Sequence, residues 1–144
     1  MGRGQLARPG GHRGVPHTAD LRVEAWAPTR EDCLAHAVRG VAESFADLGG
    51  AAVTRTRDVM IRAERDEELL VALLEEFVYW LDTAGEVPVD VEITPVRGGL
   101  QVGFQVAHVD ALPLIGAVPK AVTLHELAFA RGPEGWRCSV TLDV

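Results

Sequence analysis

Near the end of the sequence Trp136, Cys138, Val140 and Leu142 alternate with polar residues, which predicts a strand with those four side chains inward. Asp143 then points the opposite way and the α-carboxylate of Val144 lies one residue beyond, so a strand holds two negative charges close together. Asp20 opens another predicted strand, LRVEAW; if the two strands are neighbours, three oxygen anions converge and a hard divalent cation relieves their repulsion. A solvated acidic chain end would carry the same residues. Lys120 is the sole lysine among 14 cationic side chains, the other thirteen being arginine. A compact ammonium suits a tight polar site or a carboxylate contact that a planar guanidinium does not, although an exposed lysine needs no such role. His17 stands three residues before Asp20 and His125 lies in the stretch KAVTLHEL, so both could line the pocket of Asp143. Histidines in such places are commonly hydrogen-bonded structure, and no HxH, HExxH or HxxxH spacing raises them to ligands. His12 and His36 read as solvated. There is no GxSxG, P-loop, Rossmann fingerprint or paired Cys/His signature, so no catalytic constellation stands out.

The element around which these residues must be arranged is the stretch DEELLVALLEEFVYWLD, residues 66–82. Asp66 is its expected N-cap, Glu67 and Glu68 suit the positive end of the macrodipole, and no Gly or Pro intervenes before Gly85. Its apolar residues cover more than one stripe, so it must be buried from more than one side. An earlier helix starts at Thr29, with Asp32 three residues on. It carries Leu34, Ala37, Val38, Val41, Phe45 and Leu48 on one face and is expected to stop at Gly49-Gly50.

Alternation predicts strands at residues 21–26 and 52–64, a hairpin from Val89 to Val106 turning at Gly98-Gly99, and a last hairpin from Ala121 to Val144. Residues 109–119, VDALPLIGAVP, form an apolar loop that either covers something or awaits a partner. The fold class is α+β, two helices packed with antiparallel β-sheet, most simply in two layers. Residues 1–14, rich in Gly and Arg, read as a disordered tail, and residues 15–144 as a single domain.

A net charge of -7 argues against strong direct binding of nucleic acid, which needs clustered cations. Cys33 and Cys138 lack metal or disulfide spacing, and nothing resembles a signal peptide or membrane span. The expectation is a cytoplasmic protein with reduced, buried thiols and no membrane association.

The segments VPHTADLRVEAWAPTREDCLAHAV, LLVALLEEFVYWLDT and VPKAVTLHELAFARGPEGWRCSVTLDV, in that order, closely resemble the archease family. The resemblance covers about residues 15–144. It implies a partner, the tRNA-splicing type of RNA ligase, whose GTP-dependent guanylylation and multiple turnover such proteins promote; manganese and GTP belong to that ligase. It also implies that Asp20 of HTAD and Asp143 of LDV are paired metal-binding aspartates, with Val144 adding an oxygen and calcium as the divalent cation. Lys120 matches the lysine of the KAVT motif and would meet a carboxylate or a phosphate of the ligase-bound nucleotide, while His17 and His125 would support the ligands from behind or serve the structure. The expectation is an accessory protein and not an enzyme. The sequence departs from the family at Leu124, where many relatives carry an aromatic, and in the apolar 109–119 loop, which many relatives have charged. The alternative is a general chaperone or modulator that binds RNA-processing enzymes through that loop.

Overall fold

The computed structural model describes residues 8–16 and 20–144. Along the chain stand β1 (Gly11–Pro16), β2 (Asp20–Ala27), α1 (Arg30–Phe45), β3 (Arg55–Arg62), α2 (Asp66–Ala84), β4 (Glu86–Val96) and β5 (Gly99–His108), then a 3-10 turn (Val109–Ala111), β6 (Ala121–Gly132) and β7 (Gly135–Asp143). The alternating stretches became strands because one face of each is apolar. In β2, Leu21, Val23, Ala25 and Ala27 are buried and the residues between them are not.

The strands form two antiparallel sheets, a four-stranded one in the order β1-β2-β7-β6 and a three-stranded one in the order β3-β5-β4. Helix α1 packs on β1, β2 and β7 of the first sheet and on β4 of the second; α2 packs on β6 of the first and on β3 and β4 of the second. The helices therefore lie between two sheets, a third layer that the two-layer expectation lacked. This satisfies the apolar girth of both: α1 buries Cys33, Leu34, Ala37, Val38, Val41 and Phe45, and α2 buries Leu69, Leu70, Leu73, Leu74 and Phe77. Phe45 and Phe77 meet edge to face with ring centroids 6.3 Å apart, joining the helices at the centre of the core.

The helix boundaries show which local signals survive packing. Thr29 caps α1 as expected, its hydroxyl accepting from the Asp32 amide at 3.2 Å. At α2 the cap position is Arg65 and not Asp66; the Arg65 amide donates to the Glu68 carboxylate at 3.3 Å, so the acidic first turn still serves an orphan donor. Gly85 ends α2 at φ 65°, a left-handed conformation that a side chain disfavours. Helix α1 stops at Phe45, short of Gly49-Gly50, because the apolar loop claims its end: the Ile115 amide donates to the Phe45 carbonyl at 2.8 Å and the Asp47 amide to Pro113 at 2.9 Å. The middle hairpin turns at Arg97-Gly98, with Gly99 already the first residue of β5.

Residues 11–14, expected in a disordered tail, are the greater part of edge strand β1, in register with Glu24 to Trp26 and Val23 of β2. Their lack of apolar side chains misled, since an edge strand is held by backbone hydrogen bonds as well as by burial. Cys33 and Cys138 are free and buried, and the hydrogen bond that Cys138 shares with Cys33, then burial, pushes the Cys138 thiol up. Among the described residues no helix is long and apolar enough to cross a membrane.

Candidate metal and partner site

In the four-stranded sheet Asp20 is the direct register partner of Asp143, and Asp143 in turn that of Ala121. Directly paired residues of antiparallel strands share a face, and since Leu21 and Leu142 point into the core, the two aspartates point away from it. Asp20 is half-buried and Asp143 exposed, and Val144 packs its side chain against the core, which fixes the backbone at this end of the sheet. The Lys120 amide donates to the Asp143 carbonyl at 2.8 Å, so Lys120 is tied to the same corner. With Pro119, Val118 and Val109 it lines a groove of about 610 Å³ whose other wall is Glu75, Val78, Tyr79, Leu81 and Asp82 of α2. Among the described residues neither Asp20, Asp143 nor Lys120 has an ion-pair partner within 4.0 Å.

The Archease protein family matches residues 12–144. A probable archease of Mycobacterium tuberculosis is 55% identical over 143 residues, covering 97% of this chain and 80% of that protein. The chain belongs to the archease family. An archease of Archaeoglobus fulgidus is 25% identical over 135 residues, covering 92% and 98% of the two chains. Among solved structures, protein 1598 of Methanobacterium thermoautotrophicum superposes with a TM-score of 0.72 at 22% identity over 93% of this chain and 99% of its own. The Thermotoga maritima archease, described as a possible chaperone, gives 0.65 at 21% identity over 97% and 98%. The fold of this archease, two helices with antiparallel sheets, is the fold of those structures.

The side chains that this archease pairs at the sheet corner, Asp20 and Asp143, offer only oxygen, and Val144 follows next in the chain. That set suits a hard cation such as calcium, magnesium or manganese and not a thiophilic one. Among the described residues no group of three or more Asp, Glu, His or Cys side chains converges, so a cation here would draw on backbone oxygen and water besides the two carboxylates. His17 lies outside the described residues. His125 stands where the β6–β7 register shifts between Thr123 and Ala128. Its side chain is 72% exposed, with Nε2 3.8 Å from Glu126 Oε1, and its amide donates to Thr123 Oγ1 at 3.2 Å.

Reading the sequence missed one pair beside the aspartates. Arg22, two residues along β2 and on the same face as Asp20, reaches across β7 to β6, where its Nη1 donates to Glu126 Oε1 at 3.4 Å. Glu126 adopts φ 54°, a conformation rare for a residue with a side chain. Thr141 of β7 is buried although it lies on the outward side, in register with Arg22. The spacing of Asp20 and Arg22 would have placed both on one face; nothing local links Arg22 to a glutamate so far along the chain.

Proposed function

We propose that this chain activates an RNA ligase of the tRNA-splicing type, promoting its GTP-dependent guanylylation and its multiple turnover, and does not itself catalyse a reaction. Asp20, Asp143 and the oxygen of Val144 hold a divalent cation, calcium by family resemblance, or deliver one to the ligase. Lys120, in the groove beside them, meets a carboxylate or nucleotide phosphate of the partner. The observation that carries this reading is the register pairing of Asp20 with Asp143, which sets two like charges face to face, neither with an ion-pair partner within 4.0 Å among the described residues. Like charges directly opposite destabilise a sheet, so such a row is retained for what it binds. The bound cation would neutralise the row and shape the surface offered to the ligase.

The test is RNA ligation by the cognate ligase with GTP and manganese. Sub-stoichiometric protein is expected to convert a ligase limited to single turnover into one that cycles, and Asp20→Ala to remove the effect without unfolding the protein. An indifferent ligase, or full stimulation by the variant, defeats the reading.

The apolar loop favours a second one, a chaperone-like modulator of RNA-processing enzymes. Its backbone is pinned to the end of α1, yet Leu114 and Ile115 remain 54% and 65% exposed. Side chains fixed outward in this way form a ready contact surface.

A further inference from the structure

His12 and His36, which the sequence suggested were solvated, are clustered with Glu43 where β1 crosses α1. His36 is buried, at 8% exposure, and its Nδ1 is 3.0 Å from His12 Nδ1. The outer nitrogen of each ring faces only an acceptor: His12 Nε2 is 2.6 Å from Glu43 Oε1, and His36 Nε2 is 3.4 Å from the Arg8 carbonyl. If both outer nitrogens carry their protons toward those acceptors, the two inner nitrogens present lone pairs to each other, and only a cation between them makes the contact favourable. The ring centroids are 5.2 Å apart, little less than the N···N distance plus the two ring radii, so the lone pairs meet nearly head-on. That is the line of an N–H···N hydrogen bond; two ligands of one metal ion would both incline toward a point off that line.

We propose that His12, His36 and Glu43 form a proton-held clasp that fastens edge strand β1 to helix α1 and opens in mild acid. One proton between the inner nitrogens satisfies every member: His12 donates to both Glu43 and His36, and neutral His36 donates its Nε2 proton to the Arg8 carbonyl. A second proton on the pair leaves His36 without its acceptor role and sets two imidazolium ions against each other.

The surrounding charges favour the singly protonated state. Glu43 also accepts from Arg39 at 3.1 Å, while Arg8 lies near His36 and is shared between Asp32 of α1 and Asp90 of β4 at 3.5 and 3.6 Å. Burial, then the charge of His12, lowers the His36 pKa; the hydrogen bond from His12 lowers that of Glu43. Gly40 makes the crossing possible, because a Cβ there would come within 2.7 Å of Val23 Cγ1 and 3.3 Å of His12 Cδ2.

Both shifts act in the same sense. A histidine whose folded pKa is depressed binds fewer protons folded than unfolded, so the attachment weakens as pH falls below the ordinary histidine value of about 6.5. Glu43 adds a further loss below the ordinary carboxylate range. Since among the described residues β1 has β2 as its only strand neighbour in the sheet, opening the clasp frees β1 and bares the edge of β2.

Hydrogen exchange of the amides from His12 to Val15, followed from pH 7 to pH 5, tests this. Protection corrected for intrinsic exchange is expected to fall by up to about tenfold per pH unit, the limit for one linked proton, while β5 amides stay unchanged. In His36→Gln, which can accept from His12 but does not titrate, the slope is expected to flatten. A flat profile in the parent protein, or the same slope in His36→Gln, overturns the proposal. So does a ring ¹⁵N spectrum of the intact protein at pH 7 showing the His36 proton on Nδ1.

Discussion

The two sheets share a plan and differ in how they treat charge at one end. In each, the strand that precedes a helix pairs with the last strand of a later hairpin, β2 with β7 and β3 with β5. At the end of the three-stranded sheet where β3 and β4 begin, Glu86 is buried and gripped by Arg57, whose Nε and Nη2 donate to its two oxygens at 2.8 and 3.1 Å. Arg55 adds a contact at 3.6 Å, and Trp80 of α2 lies under the Arg57 guanidinium, 4.3 Å from it. The chain closes that charge within itself. At the corresponding end of the four-stranded sheet, where β2 and β6 begin, Asp20 faces Asp143 with no arginine of the described residues on either. An end closed by a bidentate arginine serves stability, whereas an end left anionic is available to an external cation.

The largest effect that separates the two ends is expected from Asp143→Asn. It should abolish calcium binding measured by calorimetry, while stability in urea stays level or rises by about 0.2–1 kcal/mol, because a like-charge cross-strand pair is relieved. A loss of stability with binding retained would show that the row is structural and that the contrast is false. Ala121→Arg sharpens the point, since residue 121 is exposed and in register beside Asp143 on the same face. Giving this end the arginine that the other already has should weaken calcium binding at least about tenfold, a 1.4 kcal/mol change. The new exposed ion pair should alter stability by no more than about 1 kcal/mol.

The contrast was half legible in the sequence. Asp20 at the start of one alternating run and Asp143 at the end of another were visible because strand periodicity tells inward from outward, and Lys120 stood out by its rarity. The closed end was not visible: Arg57 and Glu86 are separated by all of α2, and no local rule brings β3 beside β5 and so into one sheet with β4. The same reason hid Arg22 with Glu126 and His12 with His36, each pair joined only when distant strands or a strand and a helix meet. Helix α1 shows the limit from the other side. Its Thr29 cap is local and held, but its end is set by a loop nearly seventy residues later, which no run of residues around Phe45 announces.

The smallest effect concerns acid. The hydrogen bonds from Arg57 hold the Glu86 carboxyl below its ordinary range, against a burial that raises it, and the charges of Arg57 and Arg55 add to the lowering. A carboxylate whose folded pKa is depressed contributes stability that is complete above its unfolded value of about 4.3 and lost as pH falls through the folded one. Arg57→Lys keeps the charge but removes the two-pronged geometry, so it should lower the urea midpoint at pH 7 and reduce the part of the stability lost below pH 4. Calcium affinity at the Asp20 corner should not change. If the substitution weakened calcium binding instead, the two ends would be coupled through the helical layer between the sheets, and the division of labour between a closed and an open end would have to be abandoned.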